Sequence, residues 1–179
     1  MSKSTQLSME ERAAAILKRL KIDKAPIPVE RIAKKLGATL QYEPFDGKDD
    51  VSGMLFRDAE RTVIGINSMH PRTRQRFSIA HECGHLELHK GKMYVDARVN
   101  FRDAVSGLAI DQEEIEANAF AAALLMPQSL VLSGIRKAIK KRESHDVPVI
   151  VEELARAFDV SKQAMEIRLK NLGLIVDGE

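Results

Sequence analysis

At 179 residues, with 44% apolar and 30% charged side chains, the chain carries enough apolar material to bury one core of ordinary size and is not biased toward disorder. Its 28 basic and 26 acidic residues leave a formal net charge of +2, which excludes a global electrostatic footprint for nucleic acid or a membrane surface. The single cysteine, Cys83, excludes an internal disulfide and a multi-cysteine metal knuckle and suits a reducing compartment. The opening MSKSTQLSMEERAAAIL has no signal-peptide core and no run of about 18 apolar residues occurs, so a cytoplasmic location with no membrane partner is expected.

In chain order, Ser8-Met9-Glu10-Glu11 reads as a capping box followed by Ala14, Ile16, Leu17 and Leu20 at helical spacing, which predicts a first helix over 9–21. PVERIAKKLG predicts a second over 28–36, with Pro28 in its first turn and Gly37 at its end. ATLQYEPF, VSGMLFRD and RTVIGINS are β-branched or aromatic runs separated by the polar turns DGKDD and DAER, and predict three strands of an antiparallel meander. Pro71 opens a third helix running to about 89. The connector from Gly91 to about Ile110 shows no period and reads as loop. EEIEANAFAAALLMP predicts a helix stopped by Pro127, and PQSLVLSGIRKAIKKR another. VEELARAFDVSKQAMEIRLKNLG spaces Leu154, Phe158, Val160, Ala164 and Leu169 as a helix, turn and helix, with Ser161 as the second cap. The expected fold class is α+β, mainly helical, with a small antiparallel three-stranded sheet packed on the helix that starts near Pro71.

That helix contains RFSIAHECGHLELHK. Histidines four apart stand roughly 40° from each other on a helix, so His81 and His85 can reach one ion, with Glu82 beside that face. Phe77, Ala80, Gly84 and Leu88 form one apolar stripe and Ile79, Cys83 and Leu86 another, so the middle turns are expected to be buried. The remaining charges, Arg76, Glu87 and Lys90, fall toward the ends. Gly84 costs helix stability there and implies a close neighbour, with the sheet the expected one. His-Glu-x-x-His on a helix is a zinc-hydrolase pattern in which neutral imidazoles hold the metal and the glutamate serves as general base. The bland alternative is a helix edge with two solvated histidines.

Catalytic zinc usually takes three protein ligands. A metzincin histidine would fall at Gly91, which excludes that pattern. His89 lies about 80° from His81 and too far along the axis, and is assigned a supporting role beside the ligands. A carboxylate from EEIEANAF remains. Glu114 shares a helix face with Asn118, Ala121 and Leu125 and is the favoured ligand. Glu113 lies a quarter turn off and is the weaker alternative, while Glu116 points nearly opposite and reads as solvated. Asn118, one turn after Glu114, is placed to support a ligand by hydrogen bonding. Zinc is the expected ion, with manganese the other divalent ion the ligand set admits. No spacing singles out an oxyanion donor; Tyr94, His145 and nearby arginines read as surface residues.

RQRFSIAHECGHLELH followed by EEIEANAFAAALLMP resembles the ImmA/IrrE family of metallopeptidases, with its zinc helix and its later Glu-x-x-Ala-(Asn/Asp)-x-Phe-Ala segment ending in Leu-Leu-Met-Pro. The likeness implies His81, His85 and Glu114 as metal ligands and Glu82 as catalytic base, with none of the four positions broken. It also implies a metalloendopeptidase whose substrate is a helix-turn-helix transcriptional repressor, of the kind found in mobile elements, stress responses or toxin and antitoxin pairs. Some relatives carry a fused DNA-binding domain ahead of the protease; this chain starts almost directly at the protease, so the regulator is expected to be a separate polypeptide. The expected organisation is a metallopeptidase domain over 1–145 and a helix-turn-helix-like segment over 146–179 packed on it.

DNA reading by that segment is the lesser expectation, because Asp159 stands where a glycine often sits and Lys162, Arg168 and Lys170 are balanced by Glu152, Glu153 and Glu166. RKAIKKR, from Arg136 to Arg142, reads as a solvated face. The rival class is a non-enzymatic regulator that binds a repressor or DNA through the same fold.

Overall fold

The computed structural model describes residues 3–47, 50–97, 108–142 and 146–176. Among these residues, seven helices, α1 (Lys3–Arg19), α2 (Val29–Lys35), α3 (Arg72–Leu88), α4 (Leu108–Leu125), α5 (Gln128–Arg142), α6 (Val147–Phe158) and α7 (Lys162–Asn171), accompany four strands, β1 (Thr39–Glu43), β2 (Val51–Arg57), β3 (Thr62–Asn67) and β4 (Met93–Ala97). The α+β class and the mainly helical content are as expected.

Two boundaries, one added strand and one topology differ from expectation. α1 runs through the Ser8–Glu11 box instead of starting there, since serine inside a helix costs only about half a kcal/mol relative to alanine and a capping pattern does not compel a start. The connector after Gly91 contains β4, and α4 begins at Leu108. The three predicted strands exist, but the sheet is four-stranded and mixed, in the order β1-β3-β2-β4. β1 runs parallel to β3, with Thr39 opposite Val63, while β2 pairs antiparallel with both β3 and β4. A meander would have left β2 between β1 and β3; the chain instead crosses over after β1, so β2 and β3 become the inner strands. β2 is accordingly buried on both faces at Val51, Ser52 and Gly53, as an inner strand under a helix should be.

The sheet lies on α3. Leu55, Ile64 and Ile66 enter one core with Ile79, Ala80 and Cys83 of α3, Phe120 and Leu124 of α4, and Ile16 of α1. That core continues without a break into Leu154, Phe158, Met165 and Leu169 of α6 and α7. α6 ends on Asp159 in the left-handed region (φ 54°), and Ser161 caps α7 by accepting from Ala164 N at 3.1 Å, so the helix, turn and helix form as spaced.

The turn is fastened to α3 by arginines. Arg72 Nε donates to the Asp159 carboxylate at 2.9 Å. Arg76 is buried at 3% exposure, not at a solvated helix end as expected, and donates to Asp159 O at 3.0 Å and Ile27 O at 2.8 Å. Arg168, also 3% exposed, donates to Met126 O at 2.9 Å and pairs with Glu10. Of the three cations weighed for DNA contact, Arg168 is therefore spent inside the protein, and Lys162 lies 4.0 Å from Glu166. No single helix among the described residues is long and apolar enough to cross a membrane.

Candidate metal centre

The centre is made where α3 and α4 cross. The two backbones approach closely at Gly84: a Cβ there would lie 3.0 Å from Ala117 Cα, 3.2 Å from Ala117 O and 3.3 Å from Phe120 Cδ1. The close neighbour of Gly84 is thus α4, not the sheet, and a glycine opposite an alanine is what allows ligands on the two helices to meet. At the far end of α3, Arg57 of β2 donates to Leu86 O at 3.4 Å, to His89 O and to Gly91 O at 2.6 Å. One guanidinium therefore satisfies carbonyls that the helix terminus leaves open.

His81, His85 and Glu114 converge. The ligating atoms all lie within 4.8 Å of one another: Nε2 of the two histidines are 3.0 Å apart, and the Glu114 oxygens lie 3.1 Å from His81 Nε2 and 3.2 Å from His85 Nε2. Both histidines are buried to 1% exposure or less. Their Nδ1 atoms are already engaged. His81 Nδ1 bonds Asn118 Oδ1 at 3.1 Å, and His85 Nδ1 meets His89 Nδ1 at 3.0 Å. The Tyr94 ring stacks on His85, with centroids 4.1 Å apart and planes 20° from parallel, and its hydroxyl accepts from Gly91 N at 2.9 Å. With both imidazoles neutral and protonated on Nδ1, two nitrogen lone pairs and a carboxylate face one another in a buried space, an arrangement that a bound cation relieves.

A tetrahedral ion with bonds of about 2.0–2.2 Å needs donor–donor spacings of about 3.3–3.6 Å, so the observed triangle requires outward movement of a few tenths of an ångström. The donor set of two imidazoles and one carboxylate suits a divalent ion with an open position. Charge in the pocket shows the same demand. Burial alone would lower the His81 imidazole, but its hydrogen bond to Glu114 and the charges of Glu82, Asp96 and Glu114 push it up to about 9. Burial pulls Glu114 upward, yet its bonds to both imidazoles bring it down to about 2. His85 is lowered, burial being the main cause.

Glu82 is fully buried, and neither of its carboxylate oxygens has a hydrogen-bond partner among the described residues. Burial raises it to about 8. β2 passes close over it: a Cβ at Gly53 would come within 3.2 Å of Glu82 Oε1. An uncompensated buried carboxyl costs stability and is kept in place here by packing.

Of the other residues singled out from sequence, Asn118 and His89 stand against the two histidines as described. The charge of Glu113 acts on the Tyr94 hydroxyl, and Glu113 is not among the converging atoms. Glu116, read as solvated, instead bonds His89 Nε2 at 3.3 Å. His145 lies outside the described residues. Two contributors were missed. Asp96 of β4 bonds Ser78 Oγ at 3.3 Å and adds negative charge near His81 and Glu82; it sits in the segment read as loop. A groove of about 1010 Å³ between α3, α4 and α7, lined by Phe77, Ile115, Asn118, Ala122 and Ile167 among others, borders the centre at Asn118; it needed the tertiary placement of α7 to be seen.

Two imidazoles and a carboxylate that could together hold one metal ion thus lie beside a buried glutamate. Residues 33–170 match the model of the peptidase M78 family, described as the IrrE N-terminal-like domain, and the chain belongs to that family. It is 29% identical over 113 residues to "Uncharacterized immunity region protein 2" of Bacillus phage phi105, covering 58% of this chain and 68% of that protein. It is 35% identical over 102 residues to "Radiation response metalloprotease IrrE" of Deinococcus radiodurans, covering 56% of this chain but only 29% of that protein.

Proposed function

We propose that this chain is a zinc-dependent endopeptidase that cuts a partner helix-turn-helix repressor at a defined site. The observation that carries the reading is Glu82, a buried carboxyl with no hydrogen-bond partner among the described residues, one residue from His81 in a pocket where three donors converge. A structural metal site would have no use for it, whereas a hydrolytic one needs a base there.

His81, His85 and Glu114 would hold the ion, with Asn118 and His89 orienting the two imidazoles through Nδ1. A divalent ion held there would supply Lewis acidity for hydrolysis. Glu82, the buried carboxyl beside His81, would take the proton from the attacking water and pass it to the departing amine. The groove along Phe77, Asn118 and Ile167 gives an extended length of polypeptide a place to lie next to the centre. A relative named for a phage immunity region and another named as a metalloprotease support a regulatory protein as the substrate.

Co-expression with a neighbouring repressor-like protein, followed by intact-mass analysis, tests the proposal. The expected result is a pair of repressor fragments that disappears with a chelator and in Glu82→Gln. An intact repressor held in a stable, salt-sensitive complex would instead favour a binding module.

A further inference from the structure

We propose that Glu116 is a positioning residue that acts through His89 to set the tautomer of His85; this rests on the metal-binding reading of His85. The chain of contacts is His85 Nδ1 to His89 Nδ1 at 3.0 Å, His89 Nε2 to Glu116 Oε2 at 3.3 Å, and Gln112 Nε2 to Glu116 Oε1 at 2.8 Å. Both imidazoles are buried, His85 fully and His89 at 8% exposure.

A neutral imidazole carries one proton and one lone pair, so two facing Nδ1 atoms can bond in either direction. If His89 donates to His85, the proton of His85 lies on Nε2 and blocks the atom that faces His81 and Glu114. If His85 donates to His89, Nε2 of His85 is free to bind an ion. An ionised carboxylate only accepts. Glu116 therefore requires the His89 proton on Nε2, which leaves His89 Nδ1 as an acceptor and obliges His85 to donate from Nδ1. Direction enters at Glu116 and leaves as a lone pair at His85 Nε2. The geometry around this relay holds both rings: Tyr94 stacks on His85, His89 N donates to His85 O at 3.1 Å, and Arg57 grips His89 O. Helical phase conceals the arrangement, because His89 has left the helix for extended backbone (φ −119°, ψ 159°).

The test uses the purified full chain with zinc alone as probe, its dissociation constant read by chelator competition and its histidine tautomers by long-range proton–nitrogen NMR. Glu116→Ala is expected to weaken zinc binding by about 10–100-fold and to populate the Nε2-protonated form of His85 in the metal-free protein. Glu116→Gln, whose amide oxygen still accepts from His89, is expected to restore the tautomer and most of the affinity. Equal affinity in the Ala and Gln variants, with His85 protonated on Nδ1 in both, would overturn the relay while leaving the metal site intact. In the wild-type protein, which needs no variant to fold, His89 protonated on Nδ1 would also overturn it. Failure of the wild-type chain to bind zinc would instead remove the reading on which the relay depends.

Discussion

Charge enters the core of this protein in two places, and they are built differently. Where α7 meets α1 and α4, Arg168 is buried with its guanidinium bound to Met126 O and Glu10. Where α3 meets β2, Glu82 is buried more completely and its oxygens bind no described residue. A buried charge paired with an opposite one holds neighbouring elements in register. One without such a counter-charge costs stability, and a fold keeps it only where something other than the fold needs it. The contrast separates architecture from chemistry without reference to any motif.

The largest effect that would break this comparison lies at Glu82. Glu82→Gln is expected to lower repressor cleavage by about 10²–10⁴-fold while metal content, read by elemental analysis, stays at the wild-type level and the melting temperature does not fall. A loss of stability comparable to that of an arginine variant would show that Glu82 is structural. Next is Arg168→Met, which strands Glu10 and is expected to cost about 3–5 kcal/mol in urea denaturation; changing Glu10 to Gln as well should recover a good part of it.

Gly84→Ala is smaller. Its methyl meets main chain of α4 at 3.0 Å, so the helices must part, at about 1–3 kcal/mol, and zinc affinity should fall with stability. The subtlest effect is pH dependence. Glu82 and His81 are both raised, to about 8 and about 9, so in the metal-free chain each binds more proton folded than unfolded. Stability is therefore greatest below the unfolded values and falls as pH rises through the folded ones, where the buried Glu82 carboxyl must ionise and the charged pairing of His81 is lost. Thermal melts of the metal-free protein between pH 6.5 and 9 should therefore fall with rising pH, and Glu82→Gln should flatten the part of the profile below about 8.

Much of the centre could be read from spacing, since His81, His85, Glu114 and Asn118 obey helical phase on two regular helices. The helices and β1 to β3 were legible for the same local reason. Strand order was not, because alternation marks a strand without saying which neighbour it will pair with. β4 escaped because Met93 and Val95 point apolar side chains outward, at 61% and 41% exposure, which blurs the alternation. Arg76 and Arg168 escaped because an arginine within a helix reads as solvated until its partners, distant in sequence, are known. Glu116 escaped because its contact is with a residue to which no helical angle applies.

The contact at Gly84 is chiefly between main chains, with the edge of the fully buried Phe120 ring closing the rest of the gap. The span available to an ion is therefore set much as a machinist's gauge block sets a width. Widening it for a larger ionic radius means moving a 17-residue helix against an 18-residue one, a displacement the whole core would oppose.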